Sequence, residues 1–371
     1  MAEQVFEFRC TKDYCERVDT TGMLVAEQGL PAQCRTAYWD MARNVELPRM
    51  EAISNIVVTG LGGSAIGGDL LRVFAAQRVP VPVVVNRDYV LPKFVGPDTL
   101  VFAVSYSGNT EETLSAYEEA RDRKAGIIAI TTGGELAKMA RRDGTPVVGI
   151  PGGVAPRAAT GFLFIPTLTI LNRYGLLPDL TAEIEEMIDH IRELGEKLGP
   201  GVAEEDNPAK QIAHKLKGKI PVIWGSSGHT EVVAQRWKGQ INENAKAPAY
   251  WNILPELNHN EIVGFQFPVE VLKKIHIIFL RDKQDHPRVQ KRVEITKDII
   301  KDVVDGFTEV YATGKGELAR LYSLIYIGDY ASIYLATLYG IDPGPVKVID
   351  FLKKELANDG AFCGLSHPHN V

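Results

Sequence analysis

The feature that most constrains this chain is a repeated alternation of short apolar runs with amphipathic stretches. From about residue 55 onward it points to a parallel sheet covered by helices on both sides. Asn55–Thr59 (NIVVT) leads through a glycine-rich turn into a stretch of helical spacing over 65–74. Apolar runs at 81–85, 100–104, 126–130 and 147–150 predict strands, and 111–123 and 135–142 predict helices with charged outer faces. Residues 180–217 read as two helices broken by the Gly-Pro-Gly and acidic segment 199–206, where a domain boundary is expected. A second alternating block follows, with strands at 220–224, 275–280 and 308–311, helices at 231–240 and 289–304, and closing helices at 317–339 and 345–356. Both blocks open on an apolar strand, a Gly/Ser turn and a helix: VVTGLGGSAIGGDLL in the first, PVIWGSSGHTEVVAQ in the second. The expected fold class is therefore α/β, with two tandem doubly wound parallel-sheet domains, 1–198 and 207–371, and closing C-terminal helices. A length of 371 residues fits, because one core seldom organises so many.

Composition narrows the partners. Hydrophobic and charged contents of 45% and 24% are ordinary globular values. The net charge of −6 argues against a nucleic-acid partner but leaves room for a local anion pocket. The opening MAEQVFEFRC is mixed and polar, without a leader pattern, and apolar runs such as 220–224 and 275–280 are too short for a bilayer. A soluble cytoplasmic protein without membrane contact is expected. Cys10, Cys15, Cys34 and Cys363 fit no zinc spacing and read as bystanders; His367 and His369 read as part of a polar tail.

The strongest chemical signal is Ser105-Tyr106-Ser107-Gly108-Asn109-Thr110-Glu111-Glu112-Thr113, directly after the run LVFAV. A strand delivers the chain to a tight turn in which a helix begins. Ser105, Ser107 and Thr110 supply hydroxyls there, and the first helical N–H groups point the same way, which makes a neutral cradle for a phosphate. Helix capping by Thr110 and Thr113 is the competing reading, but it needs neither Ser105, nor Ser107, nor Gly108. The earlier turn, Gly60 to Ala65, satisfies a dinucleotide fingerprint with Asp88 in loose range of a ribose. A hydroxyl-rich second loop suits a single phosphate monoester better. Arg157, in GGVAPRAATGF, precedes an apolar helix where its charge would oppose the helix dipole, so a role at an anion or developing oxyanion is expected.

These residues resemble a known family. GLGGSAIGGD, SYSGNTEET and APRAATG look like the sugar-isomerase (SIS) domain pattern, while NENAK (242–246) and PELNHNEIVGF (255–265) are similar to the bifunctional phosphoglucose/phosphomannose isomerases. The resemblance covers roughly residues 20–356 and makes the two α/β domains SIS-type. It implies that Gly63, Ser64, Ser105, Ser107 and Thr110 hold the phosphate of a hexose 6-phosphate. It implies Glu243 as the base moving a proton between C2 and C1, and His259 as the ring-opening residue supplied across a homodimer interface. Arg157 would stabilise the enediolate, and Lys353 on the last helix would complete the site, with Lys354 adjacent. The family's polar residue near the start of the last helix, which helps accept both C2 epimers, has no secure counterpart in Asp342-Pro343-Gly344-Pro345.

Read without the family, the same residues are consistent with aldose–ketose exchange. One carboxylate can shuttle the proton through a cis-enediol, provided the enediolate oxygen has a cationic or hydrogen-bonding neighbour, so neither metal nor organic cofactor is needed. A solvated helix-end glutamate is the alternative for Glu243, and a loop histidine for His259. Glu256 and Glu261 are rival carboxylates, and Lys353 and Lys354 could complement a helix dipole. A sugar-phosphate-binding protein without catalysis is the alternative function. A regulator would need a DNA-binding module and an amidotransferase a glutamine-hydrolysing one, and the sequence carries neither signature.

Overall fold

The computed structural model describes residues 10–358; Cys363, His367 and His369 lie outside them. The described residues begin with three short helices that the sequence pattern does not predict: α1 (Lys12–Val18), α2 (Met23–Gln28) and α3 (Leu30–Thr36). The first sheet and its helices follow as β1 (Asn55–Thr59), α4 (Gly63–Ala75), β2 (Val83–Asn86), β3 (Thr99–Val104), α5 (Glu111–Asp122), β4 (Gly126–Thr131), α6 (Gly134–Asp143) and β5 (Val147–Gly149). Helices α7 (Thr160–Arg173), α8 (Thr181–Leu198) and α9 (Pro208–Leu216) lead to the second sheet. This comprises β6 (Ile220–Ser226), α10 (Glu231–Ala245), β7 (Tyr250–Leu254), α11 (Val269–Leu272), β8 (Ile275–Arg281), α12 (Pro287–Ile300) and β9 (Gly306–Tyr311). Helices α13 (Glu317–Leu338) and α14 (Lys347–Asn358) come last.

Both sheets are parallel, with strand orders β2-β1-β3-β4-β5 and β7-β6-β8-β9. All six residues of β3 are buried, as expected of a parallel strand covered on both faces. Strand β7 is the exception that the apolar pattern misses. It lies at a sheet edge with Tyr250 and Trp251 exposed, so it offers no buried run to read. In each sheet the order reverses beside the first strand, which makes β1/β3 and β6/β8 the switch points where α/β sheets bind ligands.

One apolar core runs through both halves, built from α4, α7, α8, α9, α10 and α13, while separate clusters cover the far face of each sheet. Helix α13 is the axis of that core: of its 22 residues, only Glu317 and Arg320 are not buried. A helix apolar on every side has to be enclosed on every side. Trp237 on α10 donates from its indole nitrogen to Leu324 O at 2.9 Å, fixing α10 against α13. This packing sets the C-terminal end of α10 beside the turn that follows α13. Among the described residues, no helix is long and apolar enough to cross a membrane.

Candidate active site

The first switch point is lined by hydroxyls and closely packed glycines. Gly63 begins α4, and a Cβ there would come within 2.6 Å of Pro156 O, so only glycine lets this helix start approach the turn that carries Arg157. Ser64 Oγ accepts from Tyr106 N at 3.3 Å and so joins the two loops. Ser105 is fully buried; its hydroxyl lies 2.9 Å from Thr110 Oγ1 and accepts from Gly108 N at 3.0 Å. Thr110 stands at the N-cap position of α5, yet its side chain makes no capping bond. Its hydroxyl faces Ser105 instead. Gly108 has φ +71°, and a Cβ there would overlap Gly133 O at 1.9 Å, so the loop is shaped around a residue without one. Ser107 is exposed, and its Oγ accepts from Asn109 N at 3.2 Å. The exposed Asp88 turns a carboxylate oxygen to its own loop, accepting from Tyr89 N at 2.6 Å, and it is Arg87 that reaches the cavity beside Gly62 and Gly63.

Arg157 and Glu243, 86 residues apart, meet at this cavity of about 250 Å³. The Arg157 guanidinium is 4% exposed and has its partners on three sides. Its Nε donates to Asn244 Oδ1 at 2.6 Å, and its Nη2 donates to Pro343 O at 2.7 Å and Gly344 O at 2.8 Å. Its Nη1 reaches Glu243 Oε2 at 3.4 Å, long for a charge-assisted bond, so the carboxylate is not locked to it. Burial pulls the Arg157 pKa below its usual value, and the Glu243 charge works against that shift. A carboxylate on the cavity wall beside a desolvated cation is the arrangement that proton transfer next to a developing enediolate requires. Larger cavities of about 850 and 1000 Å³ lie elsewhere and contain none of these groups.

Beneath the cavity lies a layer that motif reading misses. Arg236 donates from Nη2 to Arg157 O at 2.8 Å and forms an ion pair with Asp329 at 2.6 Å; Gln240 donates to Asp329 at 2.8 Å, and Asn244 donates to Ser332 Oγ at 2.8 Å. Burial raises the Asp329 carboxyl pKa, against the pull of Arg236. A lone acid inside the apolar stretch IYIGDYASIY is the signal that could have found it, since a buried carboxylate demands a partner.

His259 does not reach this cluster within one chain. It sits exposed at the end of a 3-10 turn, and its side chain forms no hydrogen bond or ion pair among the described residues. Lys353 and Lys354 stand exposed on α14 and likewise touch neither Glu243 nor Arg157. The rival Glu261 accepts from Trp224 Nε1 at 3.1 Å and also from Asn252, and Glu256 accepts from Asn260 at 2.9 Å; neither lines the cavity.

A parallel-sheet pair whose first switch point holds a hydroxyl cradle defines a sugar-isomerase-type protein. Two family models agree with this: the SIS domain over residues 51–145 and the bacterial phospho-glucose isomerase C-terminal SIS domain over 205–356. A bifunctional phosphoglucose/phosphomannose isomerase of Caldicellulosiruptor bescii is 52% identical over 336 residues, which cover 90% of this chain and 99% of the relative. One from Aquifex aeolicus is 41% identical over 81% of this chain and 90% of its own. The chain belongs to the bifunctional phosphoglucose/phosphomannose isomerase family. A solved structure, a hypothetical protein of Thermus thermophilus, covers 94% of each chain with a TM-score of 0.72 at 17% identity, a likeness of fold.

Proposed function

We propose that the protein interconverts glucose 6-phosphate, and mannose 6-phosphate, with fructose 6-phosphate. The observation that carries this is the meeting of Arg157 and Glu243 at a cavity that the Gly63 helix start also lines. The phosphate rests on Gly63, Ser64, Ser105, Ser107 and Thr110, where hydroxyls and helix N–H groups neutralise it. Once the ring is open, Glu243 removes the C2 proton and returns it to C1, and the O2 hydroxyl proton passes to O1, so O2 becomes a carbonyl and the C1 aldehyde becomes an alcohol. Arg157 stabilises the enediolate charge in between. The division into units 1–198 and 207–371 gives phosphate binding to the first and proton transfer to the second.

His259 opens the ring from a second copy of the chain in a homodimer. The segment around it exposes Val263, Phe267, Val269 and Val271, a patch that a lone chain would leave in water. Beside Glu243 lies an apolar groove of about 580 Å³, with Ile341, Pro345, Val346, Val348 and Ile349 among its lining residues, where such a segment would dock. Helix α14 exposes Phe351 and Leu352 next to Lys353, so docking of the second copy also brings that lysine into play. The enzyme is soluble and cytoplasmic in this proposal.

The test is a coupled assay with fructose 6-phosphate that follows both aldose phosphates. Both products are expected; neither product at saturating substrate would leave a sugar-phosphate-binding protein. Mixing Glu243→Gln and His259→Ala homodimers should restore about a quarter of wild-type turnover if sites are shared across the interface. No recovery on subunit exchange would sink the shared site.

A further inference from the structure

Lys246 closes the helix that carries Glu243. It caps α10 in the left-handed conformation, φ +54° and ψ 28°, a position that favours glycine or asparagine. Lys124 is the other non-glycine residue with positive φ among the described residues. Holding a lysine in this geometry is unfavourable, because its Cβ crowds the following carbonyl oxygen, so a compensating side-chain interaction is to be looked for. The side chain folds back: Nζ donates to Glu243 O at 2.6 Å and to Pro343 O at 2.9 Å. Pro343 O is also the carbonyl that accepts from Arg157 Nη2 at 2.7 Å. One ammonium and one guanidinium therefore converge on the same peptide oxygen. The turn that presents this oxygen is itself fixed, since Asp342 Oδ1 accepts from Gly344 N at 3.0 Å and from Thr21 Oγ1 at 2.8 Å.

We propose that Lys246 is a positioning residue of the isomerase site, tying the last turn of α10 to the 343–344 turn and so fixing Glu243 against Arg157. This rests on Glu243 being the base. The charged groups around the ammonium are Arg157 from the 156–158 turn, Glu243 from its own helix, Asp342 from the turn after α13, and Lys347 from the start of α14, which lines the same groove. Burial first, and then the Arg157 charge, bring the Lys246 pKa down to about 8, with Asp342 and Glu243 opposing. The ammonium is thus charged below that pH and is lost as pH rises through it. Deprotonation weakens the tie at the shared carbonyl and removes a positive charge beside Glu243, so activity acquires an alkaline limb.

The test uses Lys246→Gly and Lys246→Arg in the full chain, with kcat, KM for fructose 6-phosphate and the alkaline pH profile as readouts. Glycine relieves the left-handed strain, so Lys246→Gly is expected to melt no lower than wild type while kcat falls roughly tenfold to a hundredfold. KM should change little, because the phosphate cradle is untouched, and the limb near pH 8 should disappear. Lys246→Arg should recover much of kcat and carry the limb upward, since a guanidinium does not titrate in this range. An unchanged kcat and an unchanged limb in Lys246→Gly would overturn the proposal. Retained turnover in Glu243→Gln would overturn the base assignment instead, so the two failures are told apart by different variants.

Discussion

The two switch points of this molecule share a topology and differ in chemistry. At β1/β3 the loops carry Ser64, Ser105, Ser107 and Thr110, whose hydroxyls bond to backbone amides and to one another. At β6/β8 the loop after the third strand in spatial order carries Asp282 and Asp285 instead. Ser226 Oγ donates to Asp285 at 2.9 Å, His229 Nε2 lies 2.7 Å from Asp282, Arg320 donates to Asp282 at 2.8 Å, and Gly228 N donates to Glu231 at 2.8 Å. The second Gly/Ser turn is thus satisfied by the protein's own acids. The same βαβ geometry gives a hydroxyl-lined turn, the proposed phosphate site, in one half and a structural joint in the other, because the fold supplies the position and the loop side chains supply the chemistry. In the proposed reaction the second half contributes elsewhere, through Glu243 at the far end of α10.

The largest expected effect breaks the chemistry while leaving the cradle alone. Glu243→Gln should lower kcat by about a thousandfold or more with KM nearly unchanged, because the lost group acts in the proton transfer. Near-normal turnover would move the base elsewhere. Next, Ser105→Ala should raise KM for hexose 6-phosphates about tenfold by removing a buried hydroxyl from the cradle. The corresponding change at the other switch point, Ser226→Ala, should leave KM where it was; a matching rise there would mean that both turns bind anions.

The smallest effect concerns the joint itself. Burial disfavours the charged His229 ring, but Asp282 and Asp285 outweigh it and raise its pKa above the ordinary 6.5. The contribution of His229 to stability is complete below pH 6.5 and is lost as pH rises through the raised value. Burial tends to raise the Asp282 pKa, but His229 and the Gln284 amide more than offset it and hold the carboxyl at about 2, so its contribution is complete above pH 3.8 and is lost as pH falls towards 2. His229→Gln should therefore destabilise the protein by about 1–2 kcal/mol between those limits and by less at higher pH, measured by denaturant unfolding. A pH-independent difference would show that the ion pair contributes nothing.

Much of the frame is legible in the sequence because it rests on local signals. Buried parallel strands read as apolar runs, and among the described residues eight of nine strands fall on predicted runs; edge strand β7 does not, since its aromatic residues face water. The cradle is readable for the same reason: Ser105, Ser107, Gly108 and Thr110 lie within six residues of one another, where spacing alone specifies geometry. Arg157 is flagged by a charge opposed to its helix dipole. Only the tertiary structure decided what holds that arginine. Asn244, Arg236, Asp329 and the carbonyls of residues 343 and 344 come from three distant stretches, joined by the packing of α13 against α10. It also decided that the second Gly/Ser turn is filled, because Asp282 and Asp285 reach its His229 and Ser226 from 53 and 59 residues away. Short-range chemistry is written in adjacent residues; long-range charge pairing depends on which helices the apolar core brings together, and no local spacing records that.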